Sequence, residues 1–326
     1  MDKNKILILG KIPPPIGGVT IHTSRLLESL QEKNYTRFHF LDLSKTSILK
    51  IFASLISFPV THLHTSHVYF QLLAAVLCFV TRKKLIITYH GNLGRYKSFK
   101  NWVVNASCRL CFTPIVQNQA SMQSATRLNH GALLLSAFLP AKVSSHLDPA
   151  IVEILISCKH KYPYVFCTNA CNLTFDKTGN ETYGILALIN QFQAMPQAAL
   201  IVSDPSGKYI HFTEKQMTLP DNIVFISYPH NFSYLLQHTD AFIRNTTTDG
   251  DSISIHEALA NRISVFATNS IPRPSGCVLY SDISKIDFVS ELQHKKQENQ
   301  KLSVTERKKS NVAELLMQLY DRCLDP

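Results

Sequence analysis

The run from Asp240 to Thr268 leaves this chain few ways to fold. Asp240-Ala-Phe-Ile-Arg244 and Ile263-Ser-Val-Phe-Ala-Thr268 are short apolar segments of the kind that form buried strands. Between them a polar loop carries Asp249, Gly250 and Asp251, and a helical pattern follows through Glu257, Ala258 and Leu259. Strand, loop, helix and strand make one βαβ unit. Seven residues separate Asp249 from Glu257. That spacing puts one carboxylate on the loop and the other in the first turn of the helix, both at the carboxyl end of the first strand. In open α/β sheets ligands bind at that rim. A plainer account exists for both acids: Ser254-x-x-Glu257 matches a capping box, and Asp249-Gly250 is a common turn.

The same alternation runs through the chain. Strand patterns occur at Lys5–Gly10, Arg37–Asp42, Thr61–Thr65, Leu85–Gly91 and Pro114–Gln117, then at Tyr164–Thr168, Ala199–Ser203 and Asn222–Ile226. Helical stripes lie between them, including Val19, Thr23, Leu26 and Leu30, then Ile48, Ile51, Phe52, Leu55 and Ile56, and later Ile185 to Phe192. At 326 residues the chain is long for one core and natural for two domains. We therefore expect an α/β protein of two doubly wound Rossmann-like domains facing a cleft, one over 1–145 and one over 146–326, joined through 141–161. After Pro274 the pattern is charged and helical.

Composition excludes several classes. Apolar residues at 45% and charged residues at 17% describe a globular chain, not a disordered one. No run approaches the ~20 apolar residues of a membrane span, and Ile6-Leu-Ile-Leu-Gly10 is too brief for a signal-peptide core, so a cytoplasmic chain is expected. Eight cysteines fit that compartment as reduced thiols. Cys108-x-x-Cys111 lies in a helical pattern with no second pair, and His62 and His64 alternate on one strand face with no cysteine or carboxylate beside them. No metal and no cofactor is expected from these spacings.

The net charge of +10 is concentrated. Residues 1–150 hold 17 Lys/Arg against 5 Asp/Glu, whereas 151–326 hold 16 against 18. Such asymmetry suggests an anionic partner for the first half. Its basic residues are not interleaved with aromatics in a nucleic-acid module, so nucleic acid is not the expected partner. Gly17 and Gly18 open a helix after the stiff Pro13-Pro-Pro15, where backbone N–H groups and the helix dipole favour an anion. His90, followed by Gly91, ends a strand on the ligand rim.

These stretches carry a resemblance. Asp249-Gly-Asp-Ser252, Glu257-Ala-Leu259, the strand end Ala267-Thr268 and Ile271-Pro-Arg-Pro274 resemble the donor-sugar motif of retaining, nucleotide-sugar-dependent glycosyltransferases of the GT-B fold. The likeness is to the branch that builds bacterial surface polysaccharides such as capsule and O-antigen. It implies a nucleotide-sugar donor, a glycan or lipid-linked acceptor, and no metal. By the same resemblance Asp249 contacts sugar hydroxyls and, with His90, is catalytic, while Glu257 contacts the ribose. Backbone groups of Gly250, Asp251 and Ser252 would hold the leaving phosphate, and Gly17 and Gly18 would face donor phosphate and acceptor. Two features depart from the family. Its Gly-x-Pro before the second strand is Arg262-Ile263-Ser264 here, and its phosphate-clamping Arg and Lys are replaced by Asn169 or Asn172 and by Tyr183-Gly184. Arg244, taken as a donor-binding residue, stands with Lys177 and Arg273 as a source of the missing cation. A catalytically impaired homologue acting as a binding subunit suits those departures, and a sugar-nucleotide epimerase shares the fold but needs further carboxylates. The cluster Arg82, Lys83, Lys84, Arg95, Lys97 and Lys100 points to an anionic membrane surface, with the protein peripheral on the inner face of the plasma membrane.

Overall fold

The computed structural model describes residues 4–141, 148–176, 178–301 and 311–325. They form two compact units, Met1–Lys142 with Ser310–Pro326, and Val143–Lys309.

In the first unit β1 (Ile6–Gly10), α1 (Gly18–Glu32), β2 (Phe38–Asp42), α2 (Ile48–Ser57), β3 (Val60–His64), α3 (Val68–Val80), β4 (Lys84–Thr88), α4 (Ser98–Leu110), β5 (Thr113–Val116), α5 (Gln119–Leu128) and β6 (Leu133–Leu134) alternate. The strands make one sheet in the order β2-β1-β3-β4-β5-β6, parallel throughout. All five residues of β1 are buried, as parallel strands covered on both faces require. Its side chains alternate: Leu7 and Leu9 enter the core beneath α2 to α5, while Ile6 and Ile8 enter the core on the opposite face. Strand order reverses between β1 and β3, and ligands bind beyond the strand ends at such a point. Gly10 ends β1 there. A Cβ on it would stand 2.9 Å from Thr23 Cγ2 and 3.3 Å from His64 Cβ, so α1 packs hard against that rim.

The second unit holds α6 (Pro149–Lys161), β7 (Tyr164–Asn169), α7 (Ile185–Gln193), β8 (Ala198–Ser203), α8 (Lys208–Glu214), β9 (Ile223–Ile226), α9 (Phe232–Gln237), β10 (Ala241–Arg244), α10 (Ile253–Ala260), β11 (Ser264–Thr268), β12 (Cys277–Tyr280) and α11 (Phe288–Lys301). Its parallel sheet runs β12-β11-β10-β7-β8-β9, with the reversal between β7 and β10. Strand β12 corrects the expectation that the chain after Pro274 is only charged and helical. It is a four-residue, half-buried edge strand, and an edge needs no continuous apolar run.

Helix α12 (Val312–Leu324) corrects the expected 146–326 boundary, because it joins the first unit. Val312, Leu316, Leu319 and Tyr320 are buried against Ile6, Ile8, Leu26 and Leu30. The Tyr320 hydroxyl meets His62 Nδ1 at 2.6 Å, and Arg37 reaches Asp325 through two bonds of 2.7 Å. The amphipathic pattern alone does not say which core such a helix covers. No helix among the described residues is long and apolar enough to cross a membrane.

Candidate functional site

The second sheet brings Asn169, last in β7, beside Arg244, last in β10, at the strand reversal. Arg244 donates through Nη1 to Asn169 O at 3.2 Å and Oδ1 at 2.9 Å, and through Nε to Asp249 Oδ2 at 2.8 Å. Its guanidinium stacks over the Tyr183 ring at 5.0 Å. Asp249 Oδ2 also accepts from Arg273 Nη1 at 3.3 Å, while Oδ1 accepts from the Gly250 N–H at 3.0 Å. Arg273 is fixed by Thr268 O at 3.0 Å, Thr268 Oγ1 at 3.1 Å and Thr246 Oγ1 at 2.7 Å.

Two guanidiniums thus share one carboxylate, and the trio keeps a net positive charge. Burial opposes the charged form of Asp249, but Arg244 and Arg273 outweigh it and hold the pKa below the usual carboxylate range. Burial lowers Arg273, against the pull of Asp249. For Arg244 burial acts the same way, but Asp249 and Tyr183 reverse it. Arg244 Nη2 donates to no partner among the described residues.

This geometry explains the departure at the clamp positions. Asn169 and Tyr183 stand where cations were expected, and both hold Arg244, which arrives from a different strand. Gly184 makes room: at φ +59° it is left-handed, and a Cβ would lie 2.4 Å from Asn245 Nδ2. Lys177 lies outside the described residues.

The loop of Gly250, Asp251 and Ser252 leads into α10, with Ser252 as N-cap and no side-chain capping bond. Ser252 Oγ is buried without a partner among the described residues, and Asp251 pairs with His256. Ser254 Oγ instead accepts from Asn169 Nδ2 at 2.7 Å. The capping-box account of Glu257 therefore fails. Glu257 is buried and lies in the second turn of α10 rather than the first, since the helix already starts at Ile253, before Ser254.

In the first unit Gly17 is the N-cap of α1, again without a side-chain cap. A Cβ on Gly18 would meet open space. His90 follows β4, with Nε2 3.3 Å from His64 Nδ1 and Nδ1 3.3 Å from the Gln117 amide. Burial, then His22, His62 and Arg95, push His90 well below the ordinary imidazole pKa, so it is neutral at pH 7. It lines a shallow, solvent-open pocket with room for about one water, together with Thr65, Gln71, Gly91, Arg95 and Tyr96. His22, on α1, lies with its ring 5.0 Å from that of His90 and 5.3 Å from that of His64. Sequence spacing missed this trio, because only the topology assembles it.

No protein-family model and no curated protein matches the chain. Solved structures do. Anabaena HepE in complex with UDP-glucose is similar with TM-score 0.65 at 14% identity, over 98% of this chain and 95% of that one. The UDP-forming α,α-trehalose-phosphate synthase of Burkholderia xenovorans, with glucose-6-phosphate, gives 0.64 at 9% over 99% and 100%. The catalytic domain of Arabidopsis thaliana starch synthase IV, bound to ADP and acarbose, gives 0.60 at 11% over the full length of both. The two parallel six-stranded sheets with their helices match the fold of these GT-B glycosyltransferases.

Proposed function

We propose that this chain is a retaining glycosyltransferase that moves a sugar from a nucleotide-sugar donor to a hydroxyl of a glycan or lipid-linked acceptor in surface polysaccharide synthesis. The observation that carries the reading is the Arg244–Asp249–Arg273 trio at the strand reversal of the second sheet. A donor diphosphate gains negative charge as the glycosidic bond breaks. A preorganised cation with an uncommitted N–H stabilises that charge more than it stabilises the intact donor. Arg244 is the proposed phosphate ligand, held in its rotamer by Asn169, Tyr183 and Asp249. The amides of Asp251 and Ser252 are assigned as further donors, while that of Gly250 already bonds Asp249 Oδ1.

Asp249 Oδ1 accepts one bond from Gly250 and keeps acceptor capacity for a sugar hydroxyl. Glu257 is assigned to the ribose, His90 to the sugar, and the α1 amides at Gly17 and Gly18 to donor phosphate and acceptor. The basic, apolar face of the first unit is assigned to an anionic membrane carrying the acceptor. Supporting the reading are the GT-B fold and the UDP-glucose and ADP complexes of its structural neighbours.

Calorimetric titration of UDP, ADP and GDP into the full chain, paired with melting curves, tests it. One of the three should bind and raise the melting temperature, since a ligand specific to the folded state stabilises it. If none binds, the donor site is misassigned.

A further inference from the structure

Three acids, Asp249, Asp251 and Glu257, lie between the end of β10 and the second turn of α10. A carboxylate beside a bound phosphate opposes binding, because like charges away from bulk water repel strongly. Asp249 is covered by Arg244 at 2.8 Å and Arg273 at 3.3 Å. Asp251 is covered differently. Its Oδ1 pairs with Nε2 of His256, and the two side chains are 11% and 22% exposed. His256 is the fourth residue of α10, so the helix that follows the loop also delivers the group that meets the acid.

Two observations tie this pair to an anion rather than to the helix. The carboxylate oxygens of an aspartate stand no more than about 5 Å from its own amide nitrogen. The Asp251 amide is one of the assigned phosphate donors, so its carboxylate lies close to any phosphate held there. Next to it, Ser252 is the N-cap residue, is 6% exposed and makes no side-chain capping bond. Its Oγ has no partner among the described residues, a state in which buried polar groups are seldom left. The helix itself does not call for His256. An acid near a helix N-terminus is favoured by the dipole without a counter-cation.

We propose that His256 is a positioning residue for the donor phosphates, a role that rests on the donor-site reading above. Protonated, it holds and neutralises the Asp251 carboxylate, so the Asp251 and Ser252 amides meet the leaving group without a competing negative charge.

The test titrates UDP, ADP and GDP calorimetrically into the full chain at pH 6, then carries the nucleotide that binds best into the variants. Glutamine is close to histidine in size and still donates to a carboxylate, but it carries no charge. His256→Gln should weaken affinity about tenfold, and His256→Arg should stay within about threefold of the parent. His256→Gln combined with Asp251→Asn should recover most of the loss. Melting curves establish that each variant is folded. A hydrogen bond that only shapes the loop predicts otherwise: parent-like affinity in His256→Gln, or a loss that Asp251→Asn does not repair. Either result overturns the proposal. If His256→Gln fails to fold, Asp251→Asn alone decides. It leaves the imidazolium unopposed and should tighten binding, and weaker binding overturns the role. If no nucleotide binds the parent, the donor-site reading falls and takes this role with it. Binding in the parent with no loss in His256→Gln removes only His256.

Discussion

Asp249 Oδ2 accepts from Arg244 and Arg273 together, so this one oxygen keeps two buried guanidiniums apart and aimed. Asp249→Asn should cost roughly 3 kcal/mol at neutral pH, because it leaves buried cations without their counter-charge. The pH window follows from the direction of the shift. A depressed carboxyl contributes fully above its unfolded pKa of about 3.9 and loses that contribution as pH falls through the lower folded value. Urea midpoints of parent and variant should therefore converge below pH 4; a constant gap would count against the charge account. In turnover, Asp249→Asn should act mainly on kcat, and Glu257→Ala mainly on the donor KM. Loss of a hydrogen bond to a charged group, about 1.5–3 kcal/mol, makes each effect tenfold or more. Arg244→Lys keeps the charge but not the fork, so nucleoside diphosphate affinity should drop. Calorimetry on these variants separates the roles, and parent-like nucleotide affinity in both Glu257→Ala and Arg244→Lys would refute them. The seven residues between Asp249 and Glu257 put the first acid on the loop, but Glu257 falls in the second turn of α10 and not the first, because Ser252 rather than Ser254 caps the helix. The cation was not legible. Arg244 reaches Asn169 across 75 residues of chain, through a β7–β10 adjacency that no local pattern encodes.

The strands were legible as elements because two-sided burial writes each as a continuous apolar run. The half-buried β12 and the seven-residue α8 carry no such signal. The turn after α10 shows how a departure from the family is absorbed. Arg262 occupies the left-handed region at φ 60°, Ile263 N bonds Ala258 O at 2.8 Å, and Arg262 N bonds Leu259 O at 3.1 Å. That is a Schellman ending, which glycine forms most easily. The turn stays tight, and a side chain in this conformation costs about 1–2 kcal/mol. Arg262→Gly should raise stability by about 1 kcal/mol after glycine's own entropic cost. A lower melting temperature would mean that the arginine side chain contributes more than its backbone strain removes.

For the molecule as a whole, the surface of the first unit carries the remaining argument. Helices α2, α3 and α4 pack side by side, yet Leu49 is 80% exposed, Phe79 63%, Phe99 66% and Trp102 62%. Large apolar side chains gathered beside lysines suit an interface with lipid more than one with water. Net charge made the basic half legible in the sequence, but not which of its members are available. Lys84 donates to Cys323 O at 2.9 Å, and Arg95 lies over Tyr96 at 4.7 Å, whereas Lys50, Arg82, Lys97 and Lys100 are exposed and stand as lipid-facing candidates. Each is worth about 1 kcal/mol near an anionic surface, screened by salt. Trp102 is the sole tryptophan and therefore reports on its own face. Anionic phosphatidylglycerol vesicles should shift its emission to the blue and sediment the protein at low salt, with both effects weakened by added salt. Lys97→Glu with Lys100→Glu should reduce sedimentation, and Phe99→Ser should remove much of the salt-resistant fraction. If neutral vesicles bind equally well, or Trp102 emission does not move on binding, this face does not enter the membrane.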